Sequence, residues 1–104
     1  MRIIAELAKY LRDEAKSARK YTEMAIKYKH TNKDLAEMFI GMAKTEKGHI
    51  DSIHVWLVKF IEKERKERLQ PVPQGMMDVW EWEHQQMIED AEELELLMNN
   101  YQKM

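Results

Sequence analysis

An E-x-x-H motif lies in the middle of a long helical pattern, at the end of the stretch Leu35-Ala36-Glu37-Met38-Phe39-Ile40-Gly41-Met42-Ala43-Lys44-Thr45-Glu46-Lys47-Gly48-His49. Glu46 and His49 are three residues apart, so an α-helix directs both side chains to one face. That face follows a 3/4 alternation through Leu35, Phe39, Met42, Glu46, His49, Ile53, Trp56 and Phe60. Such a stripe is typical of the surface that a helix buries in a bundle. A buried carboxylate needs a compensating partner, and a metal ion is the simplest one.

Periodicity predicts three helices, over about residues 2–29, 33–68 and 78–101. The first carries the stripe Ile4, Leu7, Leu11, Glu14, Ala18, Tyr21, Ala25 and Tyr28. We expect one domain, with a helical hairpin over residues 1–68, a Pro/Gly turn over 69–75 and a third, acidic amphipathic helix over 76–104.

Local signals predict where these helices begin. Thr31 followed by Asp34, or Asn32 alone, fits an N-cap for the second helix. Asp78 with Glu81 resembles a capping box for the third. The prolines between residues 70 and 75 predict non-helical backbone there.

Composition restricts the class of protein. The chain has 104 residues, 35% of them charged, with three glycines, two prolines and no cysteine. These values indicate one helical domain without disulfides or thiolate metal sites. The net charge of −2 gives no reason to expect nucleic-acid or membrane partners. Without a long apolar run or a signal-peptide pattern, we expect a cytoplasmic protein.

Charge is unevenly distributed along the chain. Residues 71–104 hold eight acids and Lys103 as their one basic residue. The third helix is therefore expected to dock on the basic part of this chain or of a neighbouring one.

Three polar residues of the two predicted stripes lie at similar heights in a hairpin. With the turn centred near residue 32, Glu14, Glu46 and His49 are about 27, 21 and 25 Å from it at 1.5 Å per residue. Bundles with carboxylate-bridged dimetal sites use a Glu from each of two helices and Glu-x-x-His from each of two others. The hairpin therefore holds half of such a set.

Two completions are open. Glu81-Trp82-Glu83-His84 is a second E-x-x-H, but a tight fold-back places His84 level with about residue 60, and Glu81 already has a capping role. Alternatively, two hairpins pack as a two-fold symmetric dimer and supply six ligands for two metals. The small residues Gly41, Thr45, Gly48 and Ser52 would let helices approach closely, so we favour the dimer.

The pattern Glu14-x3-Ala18-x2-Tyr21, followed by Phe39-x2-Met42-Ala43-x2-Glu46-x2-His49, resembles the ferritin-like superfamily, and within it the rubrerythrin-type half-repeat. The half-length chain is also similar to short encapsulated ferritins. The resemblance implies a four-helix bundle with a di-iron site at a homodimer interface. It assigns metal ligation to Glu14, Glu46 and His49 and a supporting role to Tyr21. Because the chain has no cysteine, the cysteine-ligated iron that relays electrons in rubrerythrins is excluded. With one half-repeat, a ferritin-type cage is not implied. Residues 96–104 do not resemble an encapsulin-targeting peptide, although an encapsulin shell stays open as a partner.

Carboxylate and imidazole ligands suit Fe(II), Mn(II) or Zn(II). The leading expectation is a ferroxidase that oxidises Fe(II) with O2 or peroxide for iron storage or detoxification. In it Glu46 bridges two irons, Glu14 and His49 are terminal ligands, and Tyr21 donates a hydrogen bond. The alternatives are rubrerythrin-like peroxide reduction with an external electron donor, and a non-enzymatic helical oligomerisation module whose polar stripe residues fix the register.

Overall fold

The structure is a computed structural model that describes residues 2–68 and 70–104. It contains three helices, α1 (Arg2–Tyr28), α2 (Lys33–Glu67) and α3 (Gln74–Lys103). No strand occurs in the part of the chain that is described, so the predicted all-α class is confirmed. Leu69, in the predicted turn, lies outside the described residues. Within the described ranges, no helix is long and apolar enough to cross a membrane.

The start of α2 is set by an asparagine cap. The side chain of Asn32 accepts a hydrogen bond of 3.2 Å from the backbone N–H of Leu35. This bond satisfies one of the N–H groups that have no partner within the helix. Of the two predicted caps, the structure therefore has the Asn32 one.

The start of α3 differs from the prediction. The carbonyl of Pro73 accepts hydrogen bonds from the N–H groups of Met76 and Met77, so Gln74 and Gly75 are already helical. Asp78 lies inside the helix, where it accepts a hydrogen bond of 2.9 Å from Gln74. The predicted capping box of Asp78 and Glu81 is wrong, because α3 begins at Gln74, after Pro73, and has no side-chain cap among the described residues.

Helices α1 and α2 form the antiparallel hairpin through small residues. Ala18, Ala25, Ala36 and Ala43 are completely buried. Because alanine side chains occupy little space, the two backbones come close at these positions. Thr22 is also buried, and its hydroxyl donates to the carbonyl of Ala18 at 2.8 Å. This bond removes the cost of burying the hydroxyl.

Helix α3 packs on the hairpin and runs parallel to α1. Arg12 donates two hydrogen bonds to the carboxylate of Glu83, at 2.7 and 2.8 Å. Further along both helices Arg19 pairs with Glu93 at 2.6 Å. The apolar face of α3 is buried at Trp80, Leu94, Met98 and Tyr101. The predicted docking of the acidic third helix on the basic part of this chain is thus confirmed.

The buried stripe of α2 lies next to the predicted one. The buried residues of α2 are Ala36, Ile40, Ala43, Ile50 and Leu57. All eight residues of the predicted stripe, from Leu35 to Phe60, are half-buried or exposed. That stripe is not the core of one chain, and its burial in a four-helix bundle of two chains stays a prediction. It forms part of an open face of the hairpin, and the neighbouring stripe is the one that is buried.

Candidate metal centre

Three potential metal ligands meet on the open face of the hairpin. Nδ1 of His49 lies 3.3 Å from Oε2 of Glu14 and 3.8 Å from Oε2 of Glu46. One donor atom of each residue lies within 4.8 Å of the other two. Among the described residues, this is the one group of three or more possible ligands whose donor atoms all lie within 4.8 Å of one another. Glu14 comes from α1 and the other two come from α2, so the hairpin itself brings the three together.

The spacing of these atoms suits a first-row metal ion. With bonds of about 2.1 Å, two adjacent ligands of an octahedral ion lie about 3 Å apart. The distances of 3.3 and 3.8 Å come within reach of that value by small side-chain rotations. The hard carboxylates and the imidazole form a donor set that iron, manganese and zinc accept.

Exposure of the cluster is asymmetric. The side chains of Glu14 and Glu46 are 25% and 22% exposed, whereas that of His49 is 54% exposed. The carboxylates are thus partly covered by the hairpin, while the imidazole borders solvent. The cluster is open on the side away from α3.

Tyr21 lies two helical turns from Glu14, and its ring stacks on Phe39 with centroids 6.4 Å apart. In the described chain its hydroxyl has no hydrogen bond to the three clustered residues. Seven residues correspond to a rise of about 10 Å. The predicted donor role of Tyr21 therefore stays a prediction.

Large apolar side chains surround the cluster on the same open face. Tyr10, Met42 and Trp56 are 59%, 38% and 55% exposed. Trp56 is seven residues from His49, which places it on the same side of α2. A face that combines exposed aromatic residues with half-buried carboxylates is typical of an interaction surface.

The small residues of α2 border this face. Gly41, Thr45, Gly48 and Ser52 are all exposed. A Cβ atom added at Gly41 or Gly48 would meet nothing within 4 Å in the described chain. The close helix approach predicted for these residues does not occur within one chain.

Glu81 and His84 do not join the cluster. The imidazole of His84 lies beside that of His54, with ring centroids 5.7 Å apart. His54 is five residues after His49, about 140° further around α2, so this pair faces α3. The expected level of His84, near residue 60, was wrong because Arg68 and Pro73 have extended backbone, which adds more height per residue than a tight turn.

Sequence reasoning missed His54. Its Nε2 is buried and has no hydrogen-bond partner among the described residues. A signal was present, since His54 continues the stripe of Ala36, Ala43, Ile50 and Leu57 that is buried in the structure. The adjacent stripe, from Leu35 to Phe60, has the stronger hydrophobic periodicity, and for that reason His54 was not predicted to be buried.

The acidic run on α3 is partly engaged with α1. Glu93 pairs with Arg19, and the half-buried Asp90 lies close to both. Burial raises the pKa of Asp90 above its ordinary value, and the charges of Glu93 and Glu89 raise it further, while Arg19 opposes them. The carboxylates of Glu93 and Asp90 therefore contribute to the contact between α1 and α3 more than to the open face that carries the candidate metal ligands.

The hairpin supplies one Glu from α1 and a Glu-x-x-His motif from α2. This is half of the set of ligands that ferritin-like dimetal proteins use. The sequence model of the rubrerythrin family matches residues 6–103. The chain belongs to the rubrerythrin family, a ferritin-like group of helical proteins that typically bind iron. No match was found among curated proteins or among solved structures.

Proposed function

We propose that two copies of this chain bind two metal ions between their hairpins and oxidise Fe(II) there. The observation that carries the proposal is the convergence of Glu14, Glu46 and His49 on an open face. Three ligands cannot complete the coordination of two ions. Because the cluster faces away from α3, a second copy can approach it.

Two-fold symmetry gives the missing ligands without any further sequence. An isologous contact brings the same three residues from each chain to one axis. The result is a four-helix bundle with four carboxylates and two imidazoles. The exposed apolar residues Tyr10, Met42 and Trp56 would be covered in the same contact, and burial of their area favours association. Close approach at Gly41 and Gly48 meets no steric obstacle within the chain.

In the proposed reaction the iron is the substrate. Each of two Fe(II) ions gives one electron, and O2 takes both electrons with two protons to give hydrogen peroxide and two Fe(III). With hydrogen peroxide as the oxidant, the same two electrons and two protons give two water molecules. Either reaction needs two metals held at a fixed separation, which a bridging carboxylate provides.

The residues have distinct roles in this proposal. Glu46, beside His49 on one helix, bridges the two ions. Glu14 and His49 each bind one ion. Tyr21 donates a hydrogen bond near the ligands of the assembled site. Manganese or zinc would fit the same donors, and neither would turn over with O2 in the same way.

Family membership favours one alternative, which is peroxide reduction with electrons from an external donor. The chain has no cysteine, so an internal thiolate-bound iron cannot deliver those electrons. In this alternative Glu14, Glu46 and His49 would hold iron as a cofactor, which would supply the two electrons that, with two protons, reduce peroxide to two water molecules, and the external donor would replace those electrons.

The test is an anaerobic addition of two equivalents of Fe(II) per dimer, followed by O2 or by peroxide, with near-ultraviolet absorbance recording Fe(III). We expect a rapid rise that is lost in Glu46→Ala/His49→Ala and kept in His30→Ala, which changes an exposed histidine of the turn. Faster oxidation by peroxide than by O2 would favour the alternative. If Glu46→Ala/His49→Ala binds as much metal as the parent chain, the non-enzymatic oligomerisation module is the interpretation that remains.

A further inference from the structure

A second pair of histidines lies in a cavity between the three helices, away from the candidate metal centre. The cavity has a volume of about 370 Å³, and its wall includes His54 from α2 and His84 from α3. His54 is half-buried at the inner side, and His84 is exposed at the outer side. Solvent therefore reaches the cavity past His84.

The spacing of the two rings suits a shared metal ion. Bonds of about 2.0–2.1 Å place the centroid of a ligating imidazole about 3.2 Å from the metal, so two imidazoles on one tetrahedral ion have centroids about 5.2 Å apart. The centroids of His54 and His84 are 5.7 Å apart, with the planes inclined by 32°. The difference is small enough for side-chain rotation to remove it.

One nitrogen of His54 is unsatisfied in the part of the chain that the structure describes. Its Nε2 is buried and makes no hydrogen bond within the described chain. A buried nitrogen in this state raises the free energy of the folded protein. A metal ion bound at that nitrogen would remove the penalty, and neutral imidazole nitrogen is the commonest protein ligand for zinc and similar ions.

A carboxylate is available as a third ligand. Glu81 is one helical turn before His84 and lines the same cavity. The donor atoms of Glu81, His54 and His84 do not all lie within 4.8 Å of one another, so binding requires a rotamer change of Glu81, which its exposure permits. Its neighbour Glu83 is held by Arg12 at 2.7 Å, whereas Glu81 belongs to no ion pair among the described residues.

The charge of the cavity wall favours a cation. It includes three carboxylates, Glu62, Glu81 and Glu83, against two guanidinium groups, Arg12 and Arg65. The pairing of Arg12 with Glu83 cancels one charge of each sign. Two carboxylates and one guanidinium group then remain.

We propose that His54, His84 and Glu81 form a second site, for a borderline divalent ion such as Zn²⁺, with water as the fourth ligand. The site joins α2 to α3, so bound metal stabilises the docking of the third helix. It is distinct from the centre on the open face, because His54 and His49 point to different sides of α2. It needs no second copy of the chain.

The test uses the chain with Glu46→Ala/His49→Ala, which lacks two ligands of the first centre, so that the two proposals fail or succeed independently. Titration with Co²⁺ should give one equivalent per chain with the strong visible absorption of tetrahedral cobalt, and Zn²⁺ should displace it. In a nitrogen-15 spectrum of the imidazoles, the resonances of His54 and His84 should shift together on addition of Zn²⁺.

Adding His84→Gln should weaken Zn²⁺ binding by about a hundredfold or more, since even loss of a supporting contact costs 10–100-fold. Glu81→Gln should weaken it less. His30→Gln, another exposed histidine change, should leave it unchanged. Circular dichroism confirms that each variant is folded. Absence of binding in the background chain, or binding that survives His84→Gln, overturns the proposal.

Discussion

Trp56 provides the sharpest perturbation of the proposed dimer. It is 55% exposed on the open face of α2. Its ring contacts that of Phe60 at 6.0 Å between centroids, and the Lys59 ammonium lies 4.6 Å from its centroid. These contacts hold the ring in place without covering it. We expect Trp56→Ser to leave the fold of one chain intact and to weaken association.

The magnitude follows from the exposed area of this side chain. A tryptophan buries up to about 250 Å², so 55% exposure leaves roughly 140 Å² for a partner to cover. At about 25 cal/mol per Å², full coverage contributes about 3.5 kcal/mol per chain. The symmetric contact counts it twice. Coverage of only half the area would still amount to about 3.5 kcal/mol per dimer, which is more than about a hundredfold in the dissociation constant.

The assay is sedimentation equilibrium over a range of chain concentrations, with Trp82→Ser as the matched control. Trp82 is 58% exposed and lies on α3, on the side opposite to its buried residues. Trp56→Ser should shift the monomer–dimer midpoint by at least about a hundredfold, and Trp82→Ser should not shift it. Equal effects of the two variants, or a dimer that Trp56→Ser leaves unchanged, would refute the reasoning.

Three further changes test other parts of the structure. Glu46→Ala should abolish the stabilisation given by Mn(II) at the open-face centre, which for the parent at a hundred dissociation constants is about 2.7 kcal/mol, or a rise in Tm of about 10 °C or more. Glu37→Ala, on the exposed side of the same helix, should retain that rise, and loss of it there would count against the assignment. Leu94→Ala, at a residue 3% exposed, should lower the urea-unfolding free energy by about 2–5 kcal/mol. Leu96→Ala, at 62% exposure, should change it by less than about 0.5 kcal/mol. Because the pKa of Asp90 is raised in the folded chain, its carboxylate reduces stability as pH rises above the ordinary value of 3.8. Asp90→Asn should therefore stabilise the chain at pH 7 and match it below that value, and an equal gain at both pH values would show that charge is not the cause.

Short-range features were predictable from the sequence. The Asn32 cap depends on one side chain and a backbone N–H three residues later, which any local reading can find. The common level of Glu14, Glu46 and His49 depends only on helix rise and the position of the turn. The acidic character of residues 71–104 predicted docking on the basic part of this chain or of a neighbouring one, and in the structure α3 pairs with Arg12 and Arg19 of the same chain.

The packing of the helices against one another could not be predicted from the sequence in this way. Helix α2 carries two neighbouring apolar stripes, one with Ile40 and Ile50 and one with Ile53 and Phe60. Either could serve as its core face, and in the structure the first is buried. The environment of His54 follows from that choice. The level of His84 depends on the extended backbone around Pro73, which helical periodicity does not describe.

The central claim is that two chains share two metal ions, and native mass spectrometry of metal-loaded protein tests it most directly. Wild-type chain loaded anaerobically with Fe(II) should appear as a dimer that carries two ions more than the dimer of Glu14→Ala/Glu46→Ala/His49→Ala. Counting the difference excludes ions bound elsewhere on the chain. A monomer that retains those ions, or a triple variant with the same metal content as the wild type, would contradict the claim.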